Sequence, residues 1–482
     1  MTRICWGPVT TPTPHSARWL DALGLALLAL GMILKVALLA SSQSMADGDE
    51  AVEGLMALHI LERGVHPIYP YGIAYGAGVF LETHLAAMLF RTLGPSDIAL
   101  KSVGLLWWIL CLAAVYAIGR RMGGRGAAMA AALLFAFAPQ AAQWSLKVAG
   151  GHQVGVVLAL AILLLLERPS GRWLAVGLVP VAGFAHPIVL PFAAIVGLTV
   201  IARAHARERL GLAVVLAASS AVTTWLLWPP GGIWDPSVRS FEPLGLLAAL
   251  PRLALTLHSP NLSSARIPSG PVLVVAGLWL VALAAVLVAK PAPRRLVGYG
   301  LATLAVVAVV SARELAARHL LLLYPISCLI LGLGLSSFGR RGWAALALLL
   351  VAGAAIQVRE MRSPTIHGAG IQSRGVDREA VRALVAEIEG AGVGHVYSLD
   401  PMLQWNIIFA TRERVVARWK DPRDRLPEYP ARVDAARRAG FPVAPVVDVA
   451  GGESGPQSFE WISDPDPEEI ERVFPASPGD AE

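Results

Sequence analysis

The sequence predicts an all-α polytopic membrane protein with about eleven transmembrane helices and a small C-terminal α/β domain. Of the 482 residues, 55% are hydrophobic and 15% are charged, whereas soluble domains carry about 25% charged residues. Eleven apolar runs recur between residues 19 and 356, and a helix needs about 20 apolar residues to cross a bilayer. Beyond residue 359 the pattern changes to short alternating helices and strands, which predicts a separate α/β domain.

The chain divides into an N-terminal tail at 1–18, a transmembrane domain at 19–358 and a C-terminal domain at 359–482. We expect the first run to stay in place as an uncleaved span, because it is too long for a signal-peptide core. The apolar runs are Trp19–Ala40, Ile98–Ile118, Ala127–Ala142, Val154–Leu166, Trp173–Ala185, Ile188–Ile201, Leu210–Trp228, Pro271–Ala289, Leu296–Val310, Leu320–Leu335 and Trp343–Ile356.

The least certain pair of spans meets at His186-Pro187. Proline disfavours helical backbone at the residue before it, so we expect two short helices that meet at this break. One long tilted helix is the alternative, and it would reverse the membrane topology of everything that follows.

The distribution of arginine and lysine residues along the chain predicts its orientation in the membrane. Their tight clusters alternate along the chain with long, sparsely basic segments, so the positive-inside rule predicts a cytoplasmic N-terminus. The loop 41–97 and the C-terminal domain then lie on the extracytoplasmic side. Basic loops explain the net charge of +6 without a nucleic-acid partner. The three cysteines suggest no disulfide framework.

The external loop 41–97 contains two predicted amphipathic surface helices, at about Asp49–Arg63 and Ala77–Arg91. Four acids, Asp47, Asp49, Glu50 and Glu53, lie at the start of the first helix. Asp47 and Glu50 have the spacing of a capping box, although Ser or Thr is more usual as the cap. Capping accounts for Asp47 and one further acid, and it leaves Asp49 available for chemistry.

The C-terminal domain has a predicted order of alternating elements, followed by an acidic tail at 464–482 that we expect to be mobile. The predicted helices are Asp377–Glu389, Pro401–Ala410 and Ala431–Ala439, and the predicted strands are His395–Leu399, Arg414–Ala417 and Val443–Val449.

Several stretches resemble the GT-C glycosyltransferases of the protein-O-mannosyltransferase and aminoarabinose-transferase type. The resemblance covers about residues 19–340. The matching stretches are Asp49-Glu50 after the first span, residues 55–67, residues 78–82, residues 89–96 and the later motif at 318–325, where His319 replaces the usual Tyr.

The resemblance implies an enzyme that transfers a sugar from a polyprenyl-phosphate-linked donor, with Asp49 as the general base. Such a donor already carries a good leaving group, so one carboxylate suffices to deprotonate the acceptor. Glu50 and Glu53 are alternative bases. The departing phosphate needs positive charge, which Arg318, Lys147 or Arg313 can supply on the external face.

The predicted substrate-binding residues are Glu82, Lys147, His152, Arg318 and His319. Each has a structural alternative: Arg318 can anchor a helix end, Lys147 can extend to the headgroups, and the histidines can be polar packing residues. Glu82 is the better functional candidate, because an unpaired carboxylate among apolar neighbours is unfavourable.

We expect the partners to be the lipid-linked donor, a glycan, lipid or protein acceptor, and the bilayer, in a bacterial inner membrane. No metal site is predicted, although a divalent cation held by Asp49, Glu50 and a histidine is an open alternative. A membrane transporter or lipid flippase is the second hypothesis, favoured by the His186-Pro187 break but not by any repeat. A non-catalytic assembly protein is the third.

Overall fold

The computed structural model describes most of the chain, and every structural statement below concerns those residues. They are 14–41, 44–148, 150–166, 170–227, 254–255, 270–289, 296–303, 320–363, 365–366, 376–419, 425–441, 443–449, 458–461, 468 and 472–474.

The described part of the transmembrane domain is helical, as predicted. Five of its helices are long and apolar enough to span a membrane by length and composition, and shorter apolar helices pack beside them. The helices are α1 (Pro14–Leu39), α2 (Gly48–Arg63), α3 (Val79–Leu93), α4 (Asp97–Phe137), α5 (Ala141–Trp144), α6 (His152–Leu166), α7 (Gly171–Ala185), α8 (Leu190–Arg203), α9 (Ala206–Leu227), α10 (Pro271–Ala289), α11 (Leu323–Ser337) and α12 (Gly339–Arg362). Residues 296–303, within a further predicted span, are also helical.

The long helix α4 contains two of the predicted spans. Gly124 interrupts it with a φ of 76°, a conformation that favours glycine. Trp108 before the break stacks on Phe135 after it, with ring centroids 5.5 Å apart. The chain therefore reverses direction at Gly124, within the basic segment that the sequence predicts to join the two spans.

The predicted break at His186-Pro187 is also present. Helix α7 ends at Ala185, a short 3₁₀ turn covers Pro187–Val189, and α8 follows. The His186 ring caps the turn, because its Nδ1 accepts a hydrogen bond from the Ile188 N–H at 3.2 Å. The two short helices of the prediction are therefore confirmed at this position.

Lys35 is fully buried within the first span. Its ammonium donates to the Ala141 carbonyl at 3.2 Å and to the Gln357 side chain, and it lies 5.3 Å from the centre of the Trp108 ring. The Gln357 amide in turn donates to the Ala136 and Ala138 carbonyls at 3.1 Å. Gln357 thus satisfies the carbonyls at the end of α4, and Lys35 joins α1 to α5 and α12, a structural use of a charge that would otherwise be costly in a membrane.

The C-terminal domain is an α/β unit built on a four-stranded sheet with the order β4-β3-β5-β6. Strand β3 is parallel to β4 and to β5, and β6 is antiparallel to β5. The strands of this sheet are β3 (His395–Ser398), β4 (Val416–Trp419), β5 (Val443–Val449) and β6 (Ser458–Trp461), and a separate short pair is formed by β1 (Thr365–Ile366) and β2 (Val376–Asp377). The helices are α13 (Arg378–Gly390), α14 (Leu403–Ala410) and α15 (Glu428–Arg438).

All six predicted elements of this domain are present, with small shifts at their ends. Helix α14 starts at Leu403 rather than Pro401, after a turn in which the Asp400 carboxylate accepts from the Met402 and Leu403 N–H groups at 2.7 and 2.8 Å. Strands β1, β2 and β6 were not predicted. Most of the predicted mobile tail lies outside the described residues.

The C-terminal domain packs directly on α2. A Cβ added to Gly48 would lie 2.6 Å from the Met402 side chain, and one added to Gly54 would lie 2.5 Å from the Phe409 ring. The buried faces of α2 and α3 and of α14 and the sheet belong to one hydrophobic cluster. The external loop and the domain therefore share a core, and the acids at the start of α2 lie at the contact between them.

Candidate active site

The first turn of α2 is organised by the predicted capping box. The Asp47 carboxylate accepts the Glu50 N–H at 3.0 Å, and the Glu50 carboxylate accepts the Asp47 N–H at 3.0 Å. These two acids satisfy backbone N–H groups that have no partner inside the helix. The acids that follow are thereby held at fixed positions on the helix.

Glu50 has further contacts that join three parts of the chain. Its two oxygens accept from the Lys101 ammonium of α4 at 2.7 and 2.6 Å, and Oε1 also accepts the Val148 N–H at 2.9 Å. The side chain is 1% exposed. Glu50 was predicted as a catalytic residue, and these contacts place it as an anchor between α2, α4 and the 143–152 loop.

Lys147 lies in that loop and contacts the same acids. Its ammonium is ion-paired with Asp47, and it lies 3.6 Å from Glu50 Oε2. Burial lowers the pKa of Lys147, but the negative charges of Asp47 and Glu50 outweigh this effect and raise the pKa above its usual value. The lysine therefore stays protonated and compensates part of the negative charge.

Glu53 and Glu82 form a buried carboxyl pair next to this ion-pair network. Glu53 accepts the Gly150 N–H, and Glu82 accepts the Gly151 N–H at 2.8 Å. Gly151 has a φ of 77°, and a Cβ there would lie 2.6 Å from Gly78 Cα, so only glycine fits where the loop meets the start of α3.

Burial and mutual repulsion favour one proton shared within this pair. Burial and the nearby charge of Glu82 raise the pKa of Glu53, and burial raises the pKa of Glu82 to about 7. Glu53 Oε2 and Glu82 Oε1 meet no other hydrogen-bond donor among the described residues. A proton held between the two carboxyls satisfies both atoms, as in other close carboxylate pairs.

This pair predicts a pH dependence of stability. The folded-state pKa of Glu82, about 7, lies above its ordinary value of 4.5, so the folded chain binds more protons than the unfolded chain between these values. The contribution of the pair is therefore most favourable below about pH 4.5 and is lost as the pH rises through 7. We expect Glu82→Gln to melt higher than the unsubstituted protein at pH 8, with little difference at pH 5, in thermal unfolding of the detergent-solubilised chain. A variant that instead lowers the melting temperature equally at both pH values would contradict this assignment.

Asp49 is the exposed acid of the cluster. Its side chain is 30% exposed, whereas those of Asp47 and Glu50 are 7% and 1% exposed. Asp49 Oδ1 lies 2.8 Å from a guanidinium nitrogen of Arg425, in the segment before α15 of the C-terminal domain. The predicted base is thus reachable from outside and faces a cation that the sequence analysis did not single out.

The remaining predicted site residues have different positions. His152 begins α6, directly after Gly151, and its ring lies against Trp144 and His186 with centroids 5.7 and 3.7 Å apart. Its predicted role in substrate binding stays a prediction. Arg318, His319 and the alternative Arg313 lie outside the described residues.

The structure therefore brings Asp49, Glu50, Glu82 and Lys147 into one cluster. This agrees with the prediction that they lie on the same external face. Two of its members were missed. Lys101 could have been found, because a lysine near the start of an apolar span needs a partner. Arg425 carries no sequence signal, since more than 370 residues separate it from Asp49.

A second group of potential metal ligands, His59, Glu413 and Glu428, lies at the contact between α2 and the C-terminal domain. The Arg63 guanidinium already lies 2.6 Å from Glu413 and 2.8 Å from Glu428. A cation in this position repels a metal ion, so these residues fit an interdomain ion-pair network better than a metal site.

Comparison of the structure with solved structures finds proteins of similar fold. It matches the crystal structure of ArnT from Cupriavidus metallidurans bound to undecaprenyl phosphate with a TM-score of 0.56 and 13% identity, over 88% of this chain and 92% of that one. Mycobacterial arabinofuranosyltransferase AftD matches with a TM-score of 0.48 and 16% identity, over 89% and 35% of the two chains. The Archaeoglobus fulgidus oligosaccharyltransferase, in a complex with Zn and sulfate, matches with a TM-score of 0.46 and 13% identity, over 81% and 62%.

No protein-family model matches the sequence, and no curated protein matches it either. The chain spans 62% of the length of the archaeal oligosaccharyltransferase. The match to ArnT extends over nearly the whole of both chains. The predicted fold class is thereby confirmed: the chain has a GT-C-like fold with a C-terminal α/β domain.

Proposed function

We propose that this GT-C-like chain is an integral-membrane glycosyltransferase that transfers a sugar from a polyprenyl-phosphate-linked donor to an acceptor on the extracytoplasmic side. The observation that carries the proposal is the position of Asp49. It is the partly exposed carboxylate of a buried acid cluster, at the edge of the transmembrane helices and beneath the C-terminal domain. The same loop carries the sequence resemblance to GT-C enzymes.

In the proposed reaction, an acceptor hydroxyl or amine attacks the anomeric carbon of the donor sugar while Asp49 removes its proton. A new bond forms between the acceptor and the anomeric carbon. The bond from that carbon to the phosphate oxygen breaks, and its electron pair remains on the phosphate. The lipid phosphate needs no proton to leave, so a second carboxylate acting as a general acid is not required, in contrast to glycoside hydrolysis.

The buried members of the cluster support Asp49 in this proposal. Glu50 holds α2 against α4 and the 143–152 loop through Lys101 and Val148. Lys147 balances the charge of Asp47 and Glu50. Such a rigid support holds the Asp49 carboxylate in a single reactive geometry. Fixed orientation of the reacting groups contributes a large part of the rate enhancement of a bimolecular reaction. Arg318 and His319 are retained as donor contacts because they lie in the motif that resembles GT-C enzymes, and His152 is retained as a predicted substrate contact.

The proposal includes a location and a possible cation. The alternation of basic segments supports a cytoplasmic N-terminus and an extracytoplasmic C-terminal domain, in a membrane that we propose to be a bacterial inner membrane. A divalent cation stays an open alternative: Glu53 and Glu82 would hold it only in place of the proton between them.

A transporter or lipid flippase is the rival function. It would be expected to hold exposed charges within its spans, whereas buried Lys35 is already engaged by Gln357 and backbone carbonyls. The charges of the acid cluster lie together in the external loop and its neighbours.

The experiment that separates the two functions reconstitutes the purified chain in proteoliposomes with radiolabelled lipid-linked sugars extracted from bacterial membranes. We expect label to pass from the organic-soluble donor to acceptor, with release of polyprenyl phosphate. Movement of labelled lipid between leaflets without any such release would support the flippase and contradict the proposal.

A further inference from the structure

The segment that carries Arg425 is fixed over the start of α2. A Cβ added to Gly72, in the external loop, would lie 2.6 Å from Arg425 Cα, so the two backbones are in direct contact. Three residues later, Glu428 begins α15 and accepts a hydrogen bond from Arg63, the last residue of α2, at 2.8 Å. The Arg425 guanidinium is therefore held where it meets Asp49.

The cations of the cluster differ in what they can still bind. The side chains of Lys101 and Lys147 are 7% and 9% exposed, and both are ion-paired with buried acids. Arg425 is 25% exposed and ion-paired with the exposed acid. Its guanidinium is therefore more accessible to an incoming anion than the two lysines, and arginine offers several N–H donors that suit the geometry of a phosphate.

We propose that Arg425 of the C-terminal domain binds the phosphate of the lipid-linked donor and, in doing so, releases Asp49 to act as the base. The inference rests on the proposed function. Before the donor binds, the ion pair holds both groups at 2.8 Å. The donor phosphate then takes the guanidinium, and Asp49 is left free to accept the proton of the acceptor. The contacts set the order of events, because Asp49 is released only when a donor is bound. Side reactions of the base in the absence of donor are thereby suppressed.

This proposal gives the C-terminal domain a part in the site. Its docking is extensive, since the Asn406 amide donates to the Ala46 carbonyl at 2.8 Å and Phe409 packs on Gly54. A domain that only tethered a partner would not need to place a cation beside the candidate base.

The test measures binding of undecaprenyl phosphate, undecaprenol and inorganic phosphate to the full chain in detergent, by titration calorimetry. We expect the unsubstituted protein to prefer undecaprenyl phosphate to undecaprenol, and Arg425→Gln to weaken phosphate-lipid binding on the order of 10- to 100-fold, as for the loss of a hydrogen bond to a charged group. Arg425→Lys should recover part of the affinity. Inorganic phosphate should bind far more weakly, because the lipid supplies the remaining contacts.

The first of two further variants separates a phosphate contact from a structural role, and the second tests the position of Arg425. Asp49→Asn removes the competing anion, so it should bind undecaprenyl phosphate more tightly than the unsubstituted protein, and this gain should vanish when Arg425→Gln is added. Gly72→Ala keeps every charge but presses on Arg425 Cα, and it should weaken lipid-phosphate binding. Arg414→Gln is the matched control, since Arg414 pairs with Glu389 inside the same domain and is 63% exposed.

Unchanged binding by Arg425→Gln, or no gain in Asp49→Asn, would overturn the inference and leave the proposed function standing. An unsubstituted protein that binds undecaprenol as tightly as undecaprenyl phosphate would overturn the proposed function itself, and the inference with it.

Discussion

Replacing Asp49 with Asn should reduce the turnover of sugar transfer by about 10²- to 10⁴-fold, the range for removal of a positioned general base. The amide has nearly the same shape but cannot accept the proton of the attacking acceptor. The loss should appear in the maximal rate rather than in the apparent affinity for the donor. The measurement is the rate of product formation in proteoliposomes, at matched protein levels.

The matched control is Glu62→Gln. Glu62 lies on the exposed side of the same helix, outside the acid cluster, so the same chemical change there should leave the rate unaltered. If Asp49→Asn retains near wild-type turnover, Asp49 is not the base, and the buried Glu53–Glu82 pair becomes the next candidate.

Lys101→Met should destabilise the folded protein by about 3–5 kcal/mol, the cost of breaking a buried ion pair by removal of one partner. Glu50 is 1% exposed and accepts two hydrogen bonds from the Lys101 ammonium. Without that cation, Lys147 alone must balance the two negative charges of Asp47 and Glu50, so one buried negative charge is left uncompensated. Unfolding in detergent, followed by intrinsic tryptophan fluorescence, measures the change.

Two comparison variants make this result specific. Adding Glu50→Gln to Lys101→Met removes the unpaired charge while leaving an oxygen for the Val148 N–H, and it should restore much of the lost stability. Arg91→Met removes an exposed cation from the external helix α3, and it should change stability little. Equal losses in Lys101→Met and Arg91→Met would contradict the anchoring role of Glu50.

Much of the architecture could be predicted from the sequence, because its signals are local. Hydrophobic runs gave the helices, the His186-Pro187 step gave the break between α7 and α8, and the Asp47–Glu50 spacing gave the capping box. In the C-terminal domain, alternating patterns gave β3 to β5 and all three helices. Strand β6 was missed, because nothing local marks Ser458–Trp461 as the antiparallel neighbour of β5.

The candidate site was predicted only in part, for the same reason. Asp49, Glu50, Glu82 and Lys147 are polar residues in or beside apolar segments, so each stands out along the chain. Which of them pair with one another depends on tertiary contacts, and the hydrophobic periodicity of the sequence does not predict those contacts. Glu53 and Glu82 are brought together from two helices and accept hydrogen bonds from two glycine N–H groups in another loop, and the partner of Asp49 comes from a different domain.

The measurement that tests the central claim most directly is a structure of the Asp49→Asn variant bound to undecaprenyl phosphate. The account predicts the phosphate beside residue 49 and within hydrogen-bond distance of the Arg425 guanidinium, with the acid cluster beneath it unchanged. A lipid phosphate bound elsewhere, with Arg425 still against residue 49, would contradict the account.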